Sequence, residues 1–249
     1  MKRIKHILAC AALALVLPSS GSAYDVKPMV VELRPSGSGS STSMTVSNTH
    51  AVPIAIEVSV HKREQLPDGT DRLVLETNDV IINPPQMVIQ PGASQTIRVQ
   101  WVGDPNPDHE LAYRIITEQL PIRLSQVQRN DKTAELTMKY RYEAALYIAP
   151  RGVRPSARLE RAEVVNQGGT PMLQVTIVSD GTSRAILSAP RLRLAGSNGD
   201  MTIEGEDLAP LQGLNILPGA TRVVSFPAPA GMSVGPVTAS LESEYYTTS

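Results

Sequence analysis

The residue types that most often carry out chemistry are sparse in this 249-residue chain, which has four histidines and one cysteine. Zinc hydrolases place two histidines on one helix in a His-Glu-x-x-His motif, whereas His109-Glu110 stands here as a lone dipeptide. The sequence also has no Gly-x-Ser-x-Gly nucleophile motif, no phosphate-binding loop and no Gly-x-Gly-x-x-Gly dinucleotide motif. We therefore expect no enzyme activity, no metal site and no cofactor.

Carboxylates could still act as paired acid and base groups or as calcium ligands, but their spacing favours neither role. Five aspartates are scattered among predicted turns without the spacing of a calcium loop: Asp68, Asp71, Asp79, Asp104 and Asp108. A carbohydrate-active sandwich enzyme would need two facing carboxylates, and the sequence alone does not pair Glu57 with Glu118. The formal net charge of −1 predicts no nucleic-acid partner.

The N-terminal residues 1–23 have the pattern of a secretory signal peptide. A basic start is followed by an apolar stretch over residues 7–17, and Gly21-Ser22-Ala23 offers a cleavage site after Ala23. The only cysteine, Cys10, lies inside this stretch, so the predicted mature chain cannot form disulfides. No other apolar run approaches the roughly 20 residues of a membrane span, and we expect no membrane insertion.

The rest of the chain shows the two-residue period of β-strands rather than a helical repeat. Ile54, Ile56, Val58 and Val60 occupy every second position of one predicted strand. Similar short stretches recur about every 8–12 residues, separated by turn signals such as Pro67-Asp68-Gly69. This spacing is typical of an all-β sandwich.

The longest predicted strand covers residues 133–149, and one of its faces is almost continuously apolar. That face carries Leu136, Met138, Tyr140, Tyr142, Ala144, Leu146 and Ile148. At about 3.3 Å per residue the strand would be about 55 Å long, roughly three times the usual length. The simplest interpretation is a long core strand that crosses one sandwich.

A proline- and glycine-rich segment, Pro150-Arg151-Gly152-Val153-Arg154-Pro155, is the best candidate for a domain boundary because these residues end a β-ladder. Alternating stretches resume beyond it. We therefore predict two β-sandwich domains, residues 24–150 and residues 151–249.

Several segments of the first predicted domain resemble the periplasmic chaperones of chaperone–usher pilus assembly. Asn83-Pro84-Pro85, Pro91-Gly92 and residues 96–99 together are similar to a block of that family. Residues 113–124 resemble the matching strand of its archaic branch, which serves Csu-like and spore-coat-U-like pili. Residues 44–48 fit the second strand of the family's first domain, and the long strand falls where the family keeps its donor strand.

The resemblance implies an all-β fold with two immunoglobulin-like β-sandwich domains in tandem, in a boomerang arrangement, after a cleaved signal peptide. It implies a periplasmic chaperone that stabilises pilus subunits by donor-strand complementation, with the long strand 133–149 as donor, and delivers them to an outer-membrane usher. The implied partners are therefore the pilus subunits and the usher.

The resemblance also implies which side chains contact the subunit. Leu136, Met138, Tyr140 and Tyr142 are the expected groove-filling residues, although they could instead fill the protein's own core. Other branches hold the terminal carboxylate of the subunit with an Arg and a Lys, whose positions fall here on Val30 and Ala145. In the archaic branch that anchor resembles Arg114, with Lys139 and Arg141 as secondary candidates. Alternatively, Arg114 pairs with Glu118 or is exposed on a strand.

A second hypothesis is a structural or adhesive surface or pilus protein with two β-sandwiches. A pilus subunit would be a single incomplete sandwich and would usually carry a disulfide. The two predicted domains and the absence of cysteine after residue 23 favour the chaperone.

Overall fold

The structure, a computed structural model, describes residues 24–121, 139–195 and 200–246, and these residues form an all-β protein. The predicted signal peptide lies outside them. The strands of the first half are β1 (Asp25–Lys27), β2 (Val30–Leu33), β3 (Ser41–Ser47), β4 (Ile54–Gln65), β5 (Asp71–Glu76), β6 (Val80–Asn83), β7 (Gln86–Ile89), β8 (Ser94–Trp101), β9 (Leu111–Gln119) and β10 (Arg141–Ile148).

The strands of the second half are β11 (Ala157–Gln167), β12 (Thr170–Ser179), β13 (Ala185–Leu194), β14 (Met201–Glu204), β15 (Asn215–Ile216), β16 (Thr221–Pro227), β17 (Gly235–Pro236) and β18 (Ala239–Tyr245). Two short 3₁₀ helices cover Gly37–Ser40 and Gly205–Leu208. Within the described ranges, no helix has the length and apolar character needed to cross a bilayer.

Two sheets face each other in the first sandwich. One has the order β1-β3-β8-β6, and the other has the order β2-β10-β9-β4-β5, with β7 also paired to β4. Alternate side chains of both sheets fill the space between them, as the two-residue period of the sequence predicts. Fully buried members of this core include Tyr24, Leu33, Met44, Ile56, Ile97, Ile115, Leu146 and Ile148.

The second sandwich is built in the same way. The order β16-β12-β11-β17 forms one sheet, and β14-β13-β15, with β18 paired to β13, forms the other. Leu173, Val175, Ile177, Leu187, Leu192 and Phe226 are buried between them. The prediction of an all-β fold with two sandwich domains is confirmed.

Strand β11 does not follow one continuous two-residue alternation, for a local physical reason. A β-bulge between Leu159 and Arg161 shifts the register of β11 against β12. An inserted residue moves the following side chains to the opposite face, so the two-residue period is broken within the strand. Leu159 and the buried Ala162 and Val164 therefore do not form one continuous alternation in the sequence.

Arg184 joins the two sandwiches through two ion pairs, of which the one with Glu110 is buried and the one with Glu32 is partly exposed. Its guanidinium, with a side chain only 4% exposed, donates through Nη1 to Glu110 and through Nη2 to Glu32 Oε2 at 3.0 Å. The Arg184 Cζ atom also lies 3.7 Å from the ring centroid of Tyr147. Burial acts to lower the pKa of Arg184, but the two carboxylates outweigh burial and raise it. Glu110, which the sequence showed only as part of the dipeptide His109-Glu110, is thus part of the joint between the domains.

We predict that Arg184→Ala destabilises the protein by about 3 kcal/mol or more, because it leaves the buried Glu110 carboxylate without its cation. The free energy of unfolding in urea measures the loss. Arg191→Ala is the matched control: this exposed arginine pairs with Glu204, and its loss should cost less than about 1 kcal/mol. Equal losses in the two variants would contradict the assignment of Arg184 as the joint.

Candidate functional site

Strand β10 is paired along its whole length on one side but only along half of it on the other. It runs antiparallel to β9 from Arg141 to Ile148. Parallel pairing with β2 begins only at Ala145. Among the described residues, the second edge of 141–144 has no strand beside it, so a partner strand could pair there.

The hydrogen bonds of the β10 backbone show which groups point to this open edge. The N–H groups of Ala145 and Ala149 donate to Met29 O and Leu33 O, on the β2 side. Since successive backbone groups of a strand point to opposite sides, Arg141 and Glu143 present their N–H and C=O to the open edge. The first residues of the predicted donor strand, 133–138, lie outside the described residues and include Leu136 and Met138.

Tyr140 and Tyr142, the other two predicted groove-filling residues, are half-buried against the first core. The ring of Tyr142 lies edge-on to Tyr24 at 4.8 Å, and the ring of Tyr140 lies 5.7 Å from His50. Tyr24 itself donates a hydrogen bond to Thr117 O at 2.6 Å, and burial raises its pKa to about 12. Both tyrosines therefore contact their own domain, as the alternative interpretation of the sequence allowed.

One row of residues crosses the outer face of the β2-β10-β9-β4-β5 sheet. Val30 pairs with Ala145, Ala145 with Arg114, Arg114 with His61, and His61 with Leu75. Directly paired residues share a face of the sheet. The two positions that correspond to the missing Arg and Lys anchor are therefore neighbours, and Arg114 is the next residue in the same row.

Arg114 is held by a carboxylate that the sequence did not indicate. Its Nη2 donates to Asp71 Oδ2 at 3.0 Å, and Arg63 Nε donates to the same oxygen at 2.8 Å. Asp71 is only 16% exposed and opens strand β5, so the prediction that it is a scattered turn residue was wrong. The alternative pairing of Arg114 with Glu118 was also wrong, because Asp71 takes that place.

Two buried atoms of this group have no hydrogen-bond partner among the described residues. They are Nε of Arg114 and Oδ1 of Asp71. An unsatisfied buried donor on a guanidinium is costly, and a bound carboxylate would satisfy it. The arrangement therefore fixes the Arg114 guanidinium through Asp71 and leaves its Nε donor unpaired among the described residues.

The second sandwich covers part of the same face. Leu217 packs on Ala145 and Tyr147. Gln65, at the end of β4, donates through Nε2 to Asn215 O at 2.9 Å and accepts from Leu217 N at 3.1 Å. Arg114 therefore stands beside the junction of the two domains, in the cleft between them.

Of the secondary anchor candidates, Arg141 lies on the same outer face of the sheet, at the start of β10. Arg141 Nε donates to Glu143 Oε1 at 3.0 Å, and its Nη1 is 3.8 Å from Glu118 Oε2. Lys139 is exposed and precedes the strand. Since two carboxylates already neutralise Arg141, its charge is less free to bind another anion than that of Arg114.

The register also pairs two carboxylates that the sequence alone did not bring together. Glu57 of β4 lies directly opposite Glu118 of β9. Each is already engaged, Glu57 as acceptor from Gln86 Nε2 at 2.8 Å and Glu118 beside Arg141. The pair lies on the outer face of the sheet, and among the described residues no group of three potential metal ligands comes together.

The environment of His61, which lies next to Arg114 in the row, leads us to predict that stability depends on pH. Burial, then the charge of Arg141, lowers the pKa of His61, while Glu143 opposes the shift. The unfolded chain therefore takes up the proton first, and the contribution of the neutral ring is lost as pH falls below about 6.5. We expect the urea midpoint to drop between pH 7.5 and pH 5.5, and to drop less in His61→Gln. His109→Gln, at an exposed site, is the control. If the urea midpoint of His61→Gln falls with pH as much as that of the unmodified protein, His61 is not the group responsible.

Comparison with solved structures places the fold among pilus chaperones. The class 5 fimbriae chaperone CfaA matches with a TM-score of 0.56 at 16% identity, over 90% of this chain and 100% of that chain. A chain from the chaperone–tip adhesin complex of CFA/I fimbriae biogenesis gives 0.56 at 17% identity, over 89% and 99%. A chain from the CsuC–CsuE pre-assembly complex of Acinetobacter baumannii Csu pili gives 0.51 at 14% identity, over 82% and 90%.

The sequence itself matches a family model over residues 26–154, which is more than half of the chain. That model describes the pili and flagellar-assembly chaperones through the PapD N-terminal domain. No curated protein sequence matches the chain significantly. The protein belongs to the family of pili and flagellar-assembly chaperones with the PapD N-terminal domain, which is a family of chaperones and not of enzymes.

Proposed function

We propose that this protein is a periplasmic chaperone that lends strand β10, with the segment before it, to an incomplete pilus subunit and passes the subunit to an outer-membrane usher. The observation that carries the proposal is the edge at Arg141–Ala144, which has no neighbouring strand among the described residues. The signal-like residues 1–23 support export to the periplasm.

Two kinds of interaction would hold the subunit. Backbone groups at Arg141 and Glu143 would continue the sheet into the subunit, which removes the aggregation hazard of its open edge. Leu136, Met138 and Tyr140, with Tyr142 as an extension, would fill the subunit's apolar groove. Burial of each such side chain stabilises by about 1.5–3 kcal/mol before the costs of association.

Arg114 would anchor the terminal carboxylate of the subunit in the cleft. Its buried Nε is a free donor among the described residues, and the Asp71 carboxylate fixes the other side of the guanidinium. A charge-assisted bond of this kind sets the register of the bound strand, because it fixes one end of it. Lys139 and Arg141 are secondary anchors in this proposal.

The structural relatives bind partners of the expected kind. The solved complexes include CsuE bound to CsuC and Salmonella enterica SafA pilin bound to the SafB chaperone, which matches this chain with a TM-score of 0.52 at 15% identity, over 84% of this chain and 86% of that chain. Pilus subunits are therefore the proposed partners here.

Leu136→Arg or Met138→Arg should abolish co-purification with a co-expressed subunit, because a charge in the apolar groove costs several kcal/mol. The matched control is Val234→Arg, at a 64% exposed apolar residue of the second domain, which should leave co-purification unchanged. Circular dichroism verifies that each variant is folded. Full retention of the subunit by Leu136→Arg and Met138→Arg would remove these side chains from the interface.

Arg114→Gln should weaken subunit binding by about tenfold or more, since a hydrogen bond to a charged group contributes about 1.5–3 kcal/mol. The control is Arg98→Gln, on the opposite sheet, where the guanidinium contacts only Ser41 Oγ among the described residues. Subunit yield after co-expression and the affinity of the purified proteins both measure the effect. Equal losses in the two variants would refute the anchor assignment.

A further inference from the structure

A third arginine approaches the Arg63–Asp71–Arg114 group from the second domain. Arg222 is the second residue of β16, and the next residue, Val223, donates its N–H to Pro67 O at 2.7 Å. This bond docks the tip of the β4–β5 hairpin on β16. This contact places the side chain of Arg222, from the second domain, near the group formed by Arg63, Asp71 and Arg114.

The tip of the β4–β5 hairpin lies against the Arg222 guanidinium. Gly69 has φ +94°, and a Cβ atom at this position would lie 2.4 Å from Arg222 Nη2. Glycine is therefore favoured by the backbone conformation. The guanidinium lies closely against the tip.

The charges in this part of the cleft do not balance. Arg63 and Arg114 pair with the mostly buried carboxylate of Asp71, whose Oδ2 accepts from both, and Arg222 adds a third positive charge near Asp71 and Asp68. Asp68 is exposed, and its Oδ1 accepts from Thr70 N and Thr70 Oγ1 at 2.9 and 2.7 Å, so three cations stand against two carboxylates. Burial, then the charge of Arg63, lowers the pKa of Arg222, and Asp71 and Asp68 offset this only in part.

Two of these guanidinium groups have a buried N–H donor that is unpaired among the described residues. Nε of Arg222, like Nε of Arg114, has no hydrogen-bond partner among the described residues. The segment that leads to Arg222 is also the one that touches the anchor row, because Leu217 and Ala220 pack beside Ala145. An anion bound at Arg114 would therefore lie in the same cleft as Arg222, where it would offset the excess positive charge.

We propose that Arg222 is a second ligand of the carboxylate that Arg114 anchors, so that the anchor site is built from both domains. This inference rests on the proposed function and adds a residue of the second domain to it. A carboxylate has two oxygens and accepts from two guanidinium groups at once, which favours a chain terminus over a backbone carbonyl. Arg222 would thus contribute to the selection of a free C-terminus.

The test uses the mature chain, with acetate as the probe and chloride at equal ionic strength as the reference. Nuclear magnetic resonance of the arginine Nε–H groups detects both unpaired donors directly. The variants Arg114→Gln and Arg222→Gln serve to assign the two signals. We expect acetate, and not chloride, to shift both signals with one apparent dissociation constant. Arg222→Gln should weaken acetate binding at Arg114 by about tenfold.

The matched control is Arg191→Gln, at an exposed arginine of the second domain that pairs with Glu204 and should leave acetate binding unchanged. If acetate shifts the Arg114 signal but not the Arg222 signal, Arg222 only supports the hairpin and the inference is wrong, while the anchor stands. If neither signal moves, or chloride moves both equally, the Arg114 carboxylate anchor fails as well. If Arg222→Gln does not fold, Arg222→Lys, which keeps the positive charge, assigns the signal, and the unmodified chain then decides between these results.

Discussion

A β-strand has two edges of backbone donors and acceptors, and strand β10 has both edges paired only from Ala145 onward. Up to that residue, β9 covers one edge, while the described part of the chain offers no strand for the other. An open edge is a liability in a stable protein, because it can pair with any exposed strand. In a chaperone the same edge is the binding surface, so the fold must hold β10 firmly without covering it.

The first sandwich meets this requirement because it packs only the second half of β10 fully into its core. Ala144, Leu146 and Ile148 are buried in the core, so the second half of β10 is fixed by packing as well as by β2. Tyr140 and Tyr142 are only half-buried against the same core, which marks the change from anchored strand to exposed strand. The strand that we propose is donated to the subunit is therefore continuous with one that is packed in the core and paired on both edges.

Two groups of charges at the domain junction serve opposite purposes. At the first, Arg184 lies between Glu110 and Glu32, so its single positive charge is more than compensated and the group joins the domains. At the second, Asp71 is shared by Arg63 and Arg114, and Arg222 adds further positive charge from the other domain. Carboxylates outnumber the cation at the first group, whereas arginines outnumber carboxylates at the second, and a surplus of positive charge favours an anionic ligand. The second group is therefore the one at which we propose that an anion binds.

The sequence by itself determined the all-β class and most of the strands of the first sandwich. The two-residue alternation of Ile54, Ile56, Val58 and Val60 is a local property, and burial of one face of a strand requires it. The sequence also led to Arg114, through its resemblance to a family motif. Only the tertiary structure decided what surrounds that arginine. Asp71 lies 43 residues before Arg114 in the chain, Arg222 comes from the other domain, and Glu57 faces Glu118 through the β4–β9 register. Contacts of this kind depend on strand order and register, which side-chain periodicity does not specify.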